Sequence, residues 1–165
     1  VTVVDTGTLA SLALFGGLPP AGLQALAERA QSETYAKGAV VYLEGDRATH
    51  VFVVHQGAFD VVRRTAHGEH MLATLPRGDF FGEMSFVDMQ TRAATVRANV
   101  DSVVLRWSYL SIHELYQLEP KSFTLLVMNM ARELSRRLRR ADARIIALSE
   151  SDVSPDVTRD GSSRG

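Results

Sequence analysis

Cysteine is absent from the chain, which excludes disulfides and thiolate metal sites and fits a reducing, cytoplasmic setting. Nowhere do apolar residues run uninterrupted for the roughly 18 positions a membrane span needs, so no membrane partner is expected. A basic n-region is missing from the opening "VTVVDTGTLASLALFGG", and no signal peptide is expected there. Neither charge dominates: 18 basic residues face 19 acidic ones, and the chain as a whole exerts no pull on nucleic acid or acidic lipid. What is present is 45% hydrophobic residues in 165 positions, enough for one compact domain with a real core.

The order of elements reads helix, strands, helix. Asp5 or Thr6 can cap a short helix through Leu14. "GGLPP" stops it, and Pro19-Pro20 start a second helix with Leu23, Leu26, Ala27 and Ala30 on one face. From Glu33 the period becomes two. Ala39–Leu43, His50–Val54 and Ala58–Val62 are β-branched, aromatic runs, and further strands are expected over 92–99 and 102–107. Glycines at 38, 45, 57, 68 and 78 punctuate these runs, as in an antiparallel sandwich or roll. A short helix is predicted to about Leu118 and a long one from Pro120 to about Ser149. The fold class is therefore mainly β with flanking helices. One domain is expected over 1–149, with its roll over about 33–107 and its C-terminal helices over 108–149. Residues 150–165, Ser/Asp/Gly-rich and aperiodic, read as a disordered tail or linker.

The segment "FGEMSFVDMQTRAATV", Phe81 to Val96, carries the chemistry. Glu83 directly follows a glycine, and Arg92 comes nine positions later. "MSFVD" can form one helical turn whose first N–H groups and partial positive charge suit an anion. Gly82 allows close approach of a ligand to the backbone. A carboxylate beside a forked guanidinium fits a ligand bearing both hydroxyls and a phosphate. The alternative is a structural ion pair between Glu83 and Arg92. Without a ligand, Arg92 is expected to sit half-buried and unpaired, a cost that a phosphate would remove.

The glycine-turn ladder, "LFGGLPPAGLQALA", "YAKGAVVYLEGD", "VFVVHQGAFDVV" and "GDFFGE" with "RAATV" at its separation resemble the cyclic-nucleotide-binding domain family over roughly Leu14 to Ala141. That family includes the sensor domains of cAMP-receptor transcription factors and the regulatory subunits of cAMP-dependent protein kinase. The resemblance implies a jelly-roll-like antiparallel β-roll and a regulatory module rather than an enzyme. It implies that Glu83 accepts from the ribose 2′-hydroxyl and that Arg92 grips the cyclic phosphate. Phe81, Gly82, Met84, Ser85 and Ala93 complete the implied contact set. Val61, Leu72 and Leu75 fall where family members line the purine, with ordinary core as the alternative for each. If the base is read elsewhere than at Ala93, the resemblance offers Arg136 or Arg137 of the long helix as a cap over the purine face; other relatives use a threonine that this chain lacks. Relatives selective for cGMP often carry threonine where this chain has Ala93, so cAMP is the expected ligand and cGMP the alternative. A degenerate domain that works without nucleotide is a further alternative.

Family members often have glycine at the position of Met89 and proline at that of Thr91. The DNA-binding relatives carry a helix-turn-helix after the long helix, where this chain has its polar tail, so no direct DNA binding is expected and the downstream effector is open. "HGEH", His67 to His70, invites a metal-dependent cupin-type enzyme as the rival, but a turn at Gly68 should send the two rings into solvent, and no metal is expected. The basic run 136–144 reads as the solvated face of an amphipathic helix. Val127, Ala131, Leu134, Leu138, Ala141, Ile145 and Leu148 form a heptad seam, which predicts a parallel homodimer; a helix packed wholly on its own domain is the alternative.

Overall fold

The computed structural model describes residues 4–151. Asp5 caps α1 (Thr6–Ala10), its carboxylate accepting from the Thr8 N–H at 2.8 Å. The first helix is shorter than its sequence suggests: it ends at Ala10, and Ala13–Phe15 form a separate 3₁₀ turn. α2 (Pro20–Arg29) opens on its proline, whose fixed φ and missing N–H cost nothing in a first turn. The strands follow as β1 (Gln31–Tyr35), β2 (Val40–Tyr42), β3 (His50–Gln56), β4 (Ala58–Thr65), β5 (Gly68–Pro76) and β6 (Phe80–Phe81). α3 (Glu83–Asp88) interrupts them before β7 (Thr95–Ala98) and β8 (Ser102–Ser108). Ser108 caps α4 (Tyr109–Leu118) through the Ser111 N–H, and α5 spans Pro120–Ser151.

The strands pair antiparallel in two four-stranded sheets, β1-β8-β3-β6 and β2-β7-β4-β5. This is the mainly β fold with flanking helices expected from the sequence. Alternation along β3 assigns its two faces. Phe52 and Val54 join Phe59, Leu75, Phe81, Val96, Ala98 and Val104 in the core between the sheets. Val51 and Val53 point the other way, with Leu105, Trp107 and Phe80, into a core shared with the helices. β3 is therefore buried on both faces, which is why "VFVV" reads as a continuous apolar run. Trp107 locks the helical layer on by donating its indole N–H to the Leu26 carbonyl at 2.8 Å. Asn129 does the same for the start of the chain, donating to the carbonyls of Leu14 and Gly16.

Among the described residues two compact units are distinguished, one running to Met130 and the other starting at Ala131. In the first, Leu126 and Met130 of α5 are buried in the helical core, and Phe123 packs against it. In the second, Glu133 gathers Arg136, Arg137 and Arg140 at 3.2, 3.5 and 2.6 Å. Burial alone would raise the Glu133 pKa, but the arginines outweigh it and hold the carboxylate below its ordinary range. Leu138, Ile145 and Leu148 of the heptad seam are 63, 64 and 68% exposed. The tail predicted from residue 150 starts too early, since α5 continues through Ser151; the rest of it lies outside the described residues. No described helix is long and apolar enough to cross a membrane.

Candidate functional site

β6 ends at Phe81, and Gly82 turns the chain into α3 with φ 82°, the left-handed region glycine tolerates. α3 ends on Met89, also left-handed at φ 57°. The resemblance implies that glycine is common at this position, and here a methionine takes the turn itself. Glu83 and Ser85, in the first turn of α3, are 3% exposed; Met84 between them is 52% exposed. Ser85 donates through its hydroxyl to the Thr91 carbonyl at 3.2 Å, tying the helix to the connection that returns to β7.

Arg92 lies in that connection, three residues before β7 begins, rather than at a strand start. Its backbone is nevertheless held on both sides: its N–H donates to the Asp46 carbonyl at 2.9 Å, and its carbonyl accepts from Gly45 at 2.8 Å. The turn "LEGD" and the arginine therefore hold each other. The side chain is 4% exposed, not half-buried, and it is not unpaired. Nη1 donates to the Gly82 carbonyl at 3.1 Å and Nη2 to the His50 carbonyl at 2.8 Å. The guanidinium lies 4.2 Å from the centre of the Tyr42 ring and 5.6 Å from that of Phe52. The expectation of an unsatisfied arginine is thus corrected: main-chain oxygens and aromatic faces compensate its desolvation.

The surroundings carry further charge. Arg106, on the same face of β8 as Val104, pairs with Glu33 at 3.1 Å and donates to Gln31. Burial lowers the His50 imidazole pKa, and the Arg106 and Arg92 cations lower it further, so this ring stays neutral near pH 7. Burial pushes the Tyr109 phenol up while Arg92 pulls the other way, leaving its hydroxyl a protonated donor.

The remaining sequence candidates are distributed unevenly. Phe81 stacks on Phe52, centroids 4.9 Å apart, at the base of the site. Leu75 is buried in the same core, and Val61 packs half-buried against it. Leu72 is 43% exposed, at the point where β5 carries an extra residue opposite Val61 and Val62. Ala93 is exposed beside the buried Arg92. Arg136 and Arg137 belong to the second unit, where both engage Glu133. His67 and His70 are exposed at the β4–β5 hairpin, and no described cluster of three or more His, Asp or Glu could hold a metal. Sequence reasoning missed Tyr42, His50 and Tyr109. An aromatic residue closing β2 just before "LEGD" was a usable signal for Tyr42. The His50 contribution is a main-chain carbonyl and leaves no mark in the sequence.

The family described as "Cyclic nucleotide-binding domain" matches residues 32–119. The chain is similar to the cyclic AMP receptor protein of Thermus thermophilus, 32% identical over 140 residues, covering 82% of this chain and 62% of that protein. It is similar to the cAMP-dependent protein kinase regulatory subunit of Mycosarcoma maydis, 31% identical over 54% of this chain and 17% of the relative. Among solved structures, the Thermus thermophilus catabolite activator protein superposes with a TM-score of 0.70 at 32% identity, covering 83% of this chain and 63% of that one. The chain thus spans less than two thirds of the length of these relatives.

Proposed function

The chain belongs to the cyclic nucleotide-binding domain family, a family of regulatory ligand-binding domains, and from that membership we propose that it is a cAMP sensor acting as a homodimer in the cytoplasm. The ligand sits between the start of α3 and Arg92, and occupation is signalled through α5. One observation carries the reading: a guanidinium 4% exposed is held against the first turn of a helix. Its two carbonyl bonds engage two of the five N–H donors of an arginine, and the others suit a phosphate. Glu83, buried in the same turn, suits a ribose hydroxyl. Ala93 offers no hydroxyl to a guanine amino group, which favours cAMP over cGMP. The protein bears no catalytic role in this reading, and its downstream effector is a separate partner.

Calorimetric titration with cAMP and cGMP tests it. Wild type should bind cAMP more tightly than cGMP. Arg92→Ala should weaken cAMP binding at least about thirtyfold, because truncating one partner of a desolvated charge pair costs ~2–5 kcal/mol and each 1.4 kcal/mol is about tenfold. Unchanged affinity in the variant would sink the assignment of the phosphate site.

A further inference from the structure

Tyr109 opens α4, outside the segment that carries the candidate site, yet it touches both walls that hold Arg92. Its hydroxyl donates to the Gly82 carbonyl at 3.4 Å, the same oxygen that accepts from Arg92 Nη1. Its main-chain N–H donates to the Thr49 carbonyl at 2.9 Å, one residue before the carbonyl that accepts from Arg92 Nη2. Its ring packs on Phe86 of α3, centroids 5.2 Å apart. The direction of a buried guanidinium is set by its acceptors, and here one residue bonds the first acceptor and the carbonyl next to the second.

We propose that Tyr109 is a positioning residue for ligand binding: it fixes the Gly82 carbonyl and the start of β3 relative to each other, and so aims the remaining donors of Arg92 at the phosphate. The inference rests on the reading of Arg92 as the phosphate grip. At 3.4 Å the hydroxyl bond is long, while the bond from Nη1 to the same oxygen is 3.1 Å. A carbonyl has two lone pairs and can serve both donors, so any shift of Nη1 toward an anion lets the hydroxyl close on the oxygen it already faces. The Gly82 carbonyl then keeps a partner throughout. Sequence reasoning had no access to this, since Tyr109 lies 27 residues from Gly82.

Tyr109→Phe keeps the ring on Phe86 and removes only the hydroxyl. Calorimetric titration with cAMP should show a loss of about two- to tenfold, the worth of one neutral hydrogen bond. In an Arg92→Lys background the same change should cost less than about twofold, because a compact ammonium cannot span both carbonyls and has no fixed fork to aim. A purely structural role for Tyr109 would lower affinity equally in both backgrounds. A second measure needs no nucleotide: rotation of the Arg92 guanidinium, followed by NMR on the free protein, should quicken in Tyr109→Phe. Wild-type protein that binds neither cAMP nor cGMP overturns the site reading itself. Wild-type binding with no loss in Tyr109→Phe, an equal loss in both backgrounds, or unchanged guanidinium rotation overturns the positioning role alone.

Discussion

At the scale of residues, Gly82 shows how one missing Cβ supports the site. A Cβ built there would lie 2.7 Å from Arg92 Nη1 and 3.0 Å from the His50 carbonyl, on a backbone with φ 82°. Gly78 has a similar φ, 92°, but open space around it. The pair separates backbone strain from crowding. Gly78→Ala should cost only the left-handed penalty of about 1–2 kcal/mol and leave cAMP affinity within about twofold. Gly82→Ala should lower the melting temperature further and weaken cAMP binding together with it, since either the guanidinium or the β3 carbonyl must move. Equal melting temperatures and affinities in the two variants would show that Arg92 yields without cost.

At the scale of elements, the helical layer depends on a close approach of α2 to the start of α5. A Cβ on Gly22 would collide with Ser122 Oγ and Cβ. Ser122 is fully buried and its hydroxyl has no hydrogen-bond partner among the described residues, so small size is what this contact requires of it. Gly22→Ala should destabilise the fold by ~1–3 kcal/mol through overpacking, and Ser122→Gly in the same chain should restore part of the loss. Thermal unfolding of the single and double variants measures both; a double variant no more stable than Gly22→Ala would place the strain elsewhere. The strands divide by the same logic of neighbours. β3, apolar on both faces, announces itself, whereas β5 exposes all but Leu75 and Gln31–Tyr35 is largely polar. β5 is a sheet edge and β1 spends its side chains on Arg106, so neither needs the alternation that identifies a half-buried strand.

At the scale of the whole molecule, α5 poses the question of assembly. Phe123, Leu125, Leu126 and Met130 have partners in the helical core, while Leu138, Ile145 and Leu148 continue an apolar seam in the open. Exposed leucine and isoleucine at heptad spacing are what a second helix covers in a coiled coil. Light scattering should therefore give a dimer for wild type. Leu134→Glu with Leu138→Glu should give a monomer that keeps its β-sheet circular dichroism. A wild-type monomer at high concentration, with and without cAMP, would leave α5 no role in assembly.

The sequence by itself determined what depends on neighbours along the chain. Proline at the start of α2, the cap at Ser108, the left-handed glycines of the turns and the apolar run of β3 each follow from local sterics and hydrogen bonding. The family match followed from the same local signals, through the spacing of Gly82, Glu83 and Arg92. Only the tertiary structure decided what satisfies Arg92. Its second acceptor lies 42 residues away, on a main-chain oxygen that every residue type carries. The residue before that acceptor, Thr49, is held through its carbonyl by the first residue of α4, brought there by the pairing of β3 with β8. A buried cation must find partners wherever the fold brings oxygens together, and that choice is made by sheet register and helix packing rather than by any pattern in the chain.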